Sequence, residues 1–247
     1  MKNFIVTTVL WSCTAAPAFA QTPSLPFRMF VGFDGSYQAT SSEFQDGGTF
    51  AANAEQARFD TDYAVSRGPG FDVTAGAFVS RRIAVAVSVS RFVQSTPTTL
   101  SGSVPHPFFF DQGRGVTAEL GQLQRQELGV HLQARGILAS GRRAEVGVFG
   151  GPSIFRLRQD VVTGFGYGEA YPYDEVTFRS AETTEASATR LGFNVGTDVT
   201  MFLTRQLGIG ATVQFTRGSV DVPSASGAEQ RVTVGGVRAG GGLRVRF

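Results

Sequence analysis

Residues 231–247, RVTVGGVRAGGGLRVRF, decide how the rest of the chain is read. Taken back from the end, every second residue falls on one face: Phe247, Val245, Leu243, Gly241, Ala239 and Val237. The other face holds Arg246, Arg244, Gly242, Gly240, Arg238 and Gly236. A period of two belongs to a strand, whereas a helix would repeat every 3.6 residues. Working outward, seven more segments alternate in the same way: 27–39, 70–80, 83–95, 122–138, 144–159, 188–203 and 207–216. In 144–159 the apolar face changes phase after Gly150-Gly151-Pro152, from Val146 and Val148 to Phe155 and Leu157, which predicts a β-bulge.

The links between segments are of two kinds. Residues 81–82, 140–143 and 204–206 have hairpin length. Residues 40–69, 96–121, 160–187 and 221–230 form long connections, read as loops. Eight strands joined by alternating short and long links predict an antiparallel up-and-down β-barrel, with both chain ends on the short-turn side. Alternation alone leaves open which face points out. A soluble ligand-binding barrel is apolar inside, and a membrane barrel is apolar outside. The polar faces here are rich in Gly, Ser and Thr with scattered Arg, Asp and Glu and no lysine, which suits the crowded inside of a narrow barrel. Strands of about ten residues also match a tilted crossing of the hydrocarbon layer.

With its closing strand ending on an aromatic residue, the chain resembles the small outer-membrane β-barrel family that includes the OmpA membrane domain, OmpX and OmpW. The resemblance rests on pattern, topology and Phe247, and no catalytic or ligand motif of the family transfers. It implies an all-β, eight-stranded transmembrane barrel over 27–247, an outer-membrane location with both termini periplasmic, and Phe247 as the assembly signal. It further implies contact with outer-membrane lipid, lipopolysaccharide and the barrel assembly machinery. No peptidoglycan-binding domain is expected after the barrel, which puts a cell-wall tether in doubt.

The N-terminus supports export. Lys2, the apolar run 4–11 and Ala18-Phe19-Ala20 read as a signal peptide over 1–20, cleaved before Gln21, with 21–26 a short lead-in. Cys13, the only cysteine, falls inside it, and lipidation there is the alternative. A mature chain without cysteine has no disulfide and no thiolate. Without Lys2, the only lysine, the mature chain's arginine-only basicity and near-neutral balance predict no nucleic-acid binding, and suit contact with phosphate-bearing lipid.

An eight-stranded barrel leaves an interior that side chains fill. Arg28, Asp34, Asp72, Glu127, His131, Arg135, Asp198, Arg238 and Arg244 lie on inward faces. Buried charges must pair, so these residues predict a polar lumen network, with a gated solute path as the alternative. Glu127 and Arg135 each stand four residues from His131, about 13 Å along a strand, so a partner for His131 must come from another strand. No triad, Walker motif, zinc spacing or dinucleotide fingerprint occurs, so no enzyme activity, cofactor or metal is expected. In the long connections, Phe108, Phe109, Phe110, Phe165, Tyr167, Tyr171 and Tyr173 either cap the barrel mouth or form a contact surface for an extracellular partner. The expected role is structural or surface-interacting with a plugged lumen. A narrow conduit for small apolar solutes is the alternative, and a lipid-modifying enzyme a distant third.

Overall fold

In the computed structural model the described residues are 29–223, 227 and 229–247. The signal peptide, the lead-in and Arg28 lie outside them. Ten strands are present: β1 (Met29–Gln38), β2 (Ser42–Ala52), β3 (Glu55–Val65), β4 (Gly68–Phe78), β5 (Ile83–Pro105), β6 (Gly113–Ser140), β7 (Ala144–Glu169), β8 (Val176–Phe202), β9 (Leu207–Pro223) and β10 (Glu229–Arg246). Eight of them close a ring, β1-β4-β5-β6-β7-β8-β9-β10, sealed by the antiparallel β1–β10 ladder from Phe30↔Arg246 to Gln38↔Arg238. The first and last of the described residues meet on the short-turn side, where Met29 and Phe247 exchange backbone hydrogen bonds of 2.8 and 3.0 Å.

Over the described residues the four long connections are mostly strand and not loop. Residues 40–69 contain the β2–β3 hairpin, turned by Asn53 and Ala54, both at positive φ. Its strand β3 pairs with the far half of β5, Arg58↔Ser103 to Tyr63↔Thr98, while the near half of β5 pairs with β4. The β5–β6 ladder runs on to Pro105↔Gly113, and the β7–β8 ladder to Glu169↔Val176. Strands β5 to β8, of 23, 28, 26 and 27 residues, are therefore at least about twice as long as a membrane crossing needs, whereas β1 and β4, of 10 and 11, are not.

Their side-chain polarity inverts part-way along. On β8 the outward residues Met201, Val199, Val195, Phe193 and Leu191 give way to Thr189, Ser187, Glu185 and Thr183. Inward, Thr200, Asp198 and Asn194 give way to Ala188 and Ala186. On β5 the outward change falls between Val89 and Arg91, on β7 between Ile154 and Arg156, and on β9 between Phe215 and Arg217. Below that level the wall is apolar and the lumen polar, as hydrocarbon outside requires. Above it the fold is that of a water-soluble protein. Ala57, Phe59, Tyr63, Leu100, Val104, Leu123, Val162 and Phe165 form one buried cluster, and Phe155, Leu157, Val161, Val220, Val232 and Val234 another. Phe44 packs against both. A fully buried leucine such as Leu157 or Leu100 contributes about 2–5 kcal/mol against alanine.

The inversion also corrects the expected bulge. Register continues past Gly150-Gly151-Pro152, with Ala134↔Gly150 on one side and Gly150↔Val195 to Pro152↔Phe193 on the other. Val148, Pro152 and Ile154 keep facing out, and Phe155 and Leu157 face in because β7 has left the membrane. The irregularity of the β6–β7 ladder lies at Leu138 instead, near the short turn.

Candidate functional site

The lumen is the first place where chemistry could be held. Val87, Leu132, Val195 and Val213 stand on the outer wall at 48–50% exposure, while Glu127 and Asp198 point inward and are buried. The inward charges pair across strands. Arg244 donates to Asp34 at 2.8 Å and to Thr212 at 2.8 Å. Arg135 meets Asp198 at 2.6 Å, with its guanidinium over the rings of Phe30 and Phe149. Arg238 lies 3.7 Å from Asp72, which also accepts from Ser36 at 2.6 Å. Phe30, inward on a strand whose inward face is otherwise polar, packs with Phe78 and Ala86 at the short-turn end. Two cavities of about 30 Å³ each remain among these residues, room for roughly one water apiece.

His131 is fully buried, and its partners do come from other strands. Ser90 on β5 lies 2.9 Å from Nε2, and Ser153 on β7 lies 2.8 Å from Nδ1. Asn194 donates to the same Ser153 hydroxyl at 3.0 Å. No carboxylate completes a charge relay on this histidine among the described residues. His106, the second histidine, accepts the backbone N–H of Phe108 and of Phe109, so it shapes a turn.

Glu127, expected in the lumen network, pairs at the level of the polarity inversion with Arg125, which was not expected there. Arg125 donates from Nε to Glu127 at 2.8 Å, from Nη1 to Gln159 at 2.9 Å and from Nη2 to the carbonyl of Thr233 at 3.1 Å. Glu127 in turn accepts the N–H of Gly235 at 3.1 Å. The signal for Arg125 was its spacing of two from Glu127, which places both on one face.

The second place is the distal tip. Phe108, Phe109 and Phe110 occupy the β5–β6 turn at 69%, 57% and 76% exposure, and Tyr171 in the β7–β8 turn is 87% exposed. Tyr173 is half-buried and meets Phe108 edge-on, 5.5 Å between ring centres. Phe165 and Tyr167 do not belong to this surface. Both lie on β7, where Phe165 is buried in the distal core against Phe50 and Phe59 and Tyr167 packs at its edge. Gly164, Gly166 and Gly168, which alternate with them on β7, allow close ladder packing and are not loop hinges. Arg114 ties the two turns together from beneath. It donates to the carbonyls of Tyr173 and Pro105 at 2.8 Å each and meets Glu169 at 2.6 Å. Asn53 of the β2–β3 turn also donates to Pro105, at 2.9 Å. The described residues contain no group of three or more His, Cys, Asp or Glu placed to hold a metal ion.

No protein-family model and no curated protein matches the chain. Among solved structures it is similar to Neisserial surface protein A, at 13% identity over 89% of this chain and 97% of that one, TM-score 0.45. It is similar also to the outer membrane protease OmpT of Escherichia coli, at 9% identity over 92% and 100%, TM-score 0.47. A third is outer membrane protein AlkL in lipid bilayers, at 13% identity over 94% and 96%, TM-score 0.36. Likeness at this level carries no function across, and the fold rests on the chain's own geometry. A closed eight-stranded antiparallel ring, apolar on its outer wall and ion-paired within, gives this chain the fold of a small outer-membrane β-barrel.

Proposed function

We propose that this barrel, held in the outer membrane by its apolar belt, is a surface-interaction protein that presents a rigid aromatic tip on a plugged stem. The observation that carries the reading is the exposure of Phe108, Phe109, Phe110 and Tyr171 on turns that Arg114 braces from below. Apolar rings grouped in water at the end of an ordered element mark a contact surface. The bracing means that little ordering entropy is lost on contact. Ion pairs across the lumen, the Arg125–Glu127 seal and the apolar core above it support a barrel that conducts nothing. The cavities among the inward charged residues, about 30 Å³ each, favour this reading over an apolar conduit. Serine partners on both nitrogens of His131 likewise give a hydrolytic role no support.

The test places a photo-crosslinking residue at position 109 and, separately, at Thr183 on the polar outer wall. A partner captured from position 109, not from 183, and lost when Phe108, Phe110 and Tyr171 become serine supports the reading. Equal capture from both positions, or discrete conductance steps in planar bilayers, would sink it.

A further inference from the structure

The short-turn rim carries a charge pattern that neither the plugged stem nor the aromatic tip uses. Each short turn contains arginine: Arg81 and Arg82 between β4 and β5, Arg142 and Arg143 between β6 and β7, and Arg205 between β8 and β9. None of these turns contains Asp or Glu. All five arginines are exposed, and none of their guanidinium groups has an ion pair, hydrogen bond or ring contact among the described residues. The inward charges at this end are already committed, Arg135 to Asp198, Arg244 to Asp34 and Arg246 to Glu145. The distal end carries the opposite sign in Glu55, the first residue of β3, and in Asp111, Asp174 and Glu175 of the turns. Among the described residues, therefore, no acidic side chain neutralises the rim's positive charge, either locally or from within.

The level of the rim identifies what can neutralise it. Apolar side chains on the outer wall run up to the turns. Val79 and Ile83 flank Arg81-Arg82 at 70% and 55% exposure, Leu138 precedes Arg142-Arg143 at 63%, and Leu203 and Leu207 bracket Arg205. Hydrocarbon thus ends where the arginines begin, and their stems lie along that edge with the charged heads in the headgroup layer. The turns are too short to reach a polymer beyond it. In the headgroup layer the abundant anion is phosphate, and a guanidinium fork engages its oxygens two at a time.

We propose that the short-turn rim is a binding site for anionic phospholipid headgroups of the leaflet it faces. Adjacent arginines close on one phosphate at Arg81–Arg82 and at Arg142–Arg143, and Arg205 holds a third. The sites are spread around the ring between alternate strand pairs, so bound lipids fix the depth and tilt of the barrel from several sides.

The experiment reconstitutes the folded protein in nanodiscs of phosphatidylcholine containing a minor fraction of phosphatidylglycerol, and counts retained lipids by native mass spectrometry. The expected result is phosphatidylglycerol enriched at least about tenfold over its bulk share, and lost as salt rises. The variant R81Q/R82Q/R142Q/R143Q/R205Q loses the enrichment. The two-site variants R81Q/R82Q and R142Q/R143Q lose it in steps, which keeps the test open if the fivefold variant fails to fold. A control, R58Q/R179Q on the distal strands, keeps it. Enrichment unchanged in the rim variants, or absent in the parent, overturns the proposal. Equal enrichment of a sulfonate-headed anionic lipid overturns the assignment to phosphate.

Discussion

Placing arginine along the outward face of β8 tests the polarity inversion directly, because one strand carries both environments. From Leu191 to Met201 is about ten residue steps, and at about 3.4 Å per step and a tilt of about 40° this covers roughly 26 Å of depth. That matches the height of about 25 Å expected of a lipid-facing apolar band. Val195 lies roughly 10 Å inside the outer edge of that band by the same arithmetic, close to its middle. Its side chain is 50% exposed on the outer wall, with Phe215 and Gly150 as ladder neighbours, and nothing there can pair a guanidinium. Val195→Arg should therefore cost about 2–4 kcal/mol, and Thr189→Arg, two positions beyond Leu191, about 0–1 kcal/mol. The assay is urea unfolding in bilayers of matched thickness, scored by the mobility difference between heated and unheated protein on gels. Equal costs at the two positions would refute the placement of the membrane edge. A Val195→Arg variant as stable as the parent would mean that this wall never meets hydrocarbon.

Asp198→Asn should destabilise by about 1–3 kcal/mol, because it strands the buried Arg135 guanidinium, and the same unfolding assay measures it. Glu127→Leu should cost about 3–5 kcal/mol by leaving Arg125 uncompensated. The double variant R125M/E127L should recover only part of that, since Thr233 and Gly235 then keep unpaired backbone groups, and a double-mutant cycle checks the remainder. Leu157→Ala should cost about 2–5 kcal/mol in the distal core, and amide exchange should quicken there before it does in the membrane ladders. Burial pushes the Tyr63 phenol, which accepts the N–H of Val162, up to about 12. The unfolded chain loses that proton near 10, so above pH 10 the folded state holds more protons. Stability should then fall from about pH 10 to about 12, and Tyr63→Phe should remove that part of the slope.

The membrane part of the fold was legible because two solvents impose it. Hydrocarbon outside and a polar lumen inside force strict alternation, and residues 236–247 show it without a break at either face. The distal half obeys the same period with the faces exchanged, so Phe155 and Leu157 look like a slip of phase when they are the ordinary inward residues of a strand that has left the membrane. The alternation Gly164-Phe165-Gly166-Tyr167-Gly168 carried a strand signal too, obscured by a composition typical of loops. The network at His131 was not legible, because Ser90 and Ser153 reach it across ladders whose register the sequence does not print. Phe108, Phe109 and Phe110 stood out as an apolar run in a turn, but their bracing by Arg114 depends on contacts with residues far away in the chain.

The buried ion pair at the level of the inversion has a cause in the topology. β1 ends at Gln38, while its neighbour β10 begins at Glu229, so the distal part of β10 has no ladder partner on that side. At Val237 the end of β1 still serves: Ala39 donates to its carbonyl at 2.9 Å, and its N–H reaches the Thr40 hydroxyl at 2.9 Å. Two residues on, at Gly235, the N–H meets the carboxylate of Glu127, and two further, at Thr233, the carbonyl meets Arg125. These are the groups of one edge, in the alternate order an antiparallel partner would have used. An apolar plug of the same volume would leave them unpaired, at about 1–3 kcal/mol each. Glu127 and Arg125 have opposite signs because one must accept an N–H and the other must donate to a carbonyl, and their mutual attraction offsets the cost of burying both. Gly235 and Gly236, at φ 91° and 139°, bend β10 at this point with no Cβ to hinder it. The pair thus stands in for a strand that has turned away, and the residues that complete the wall are the ones that reach across the lumen.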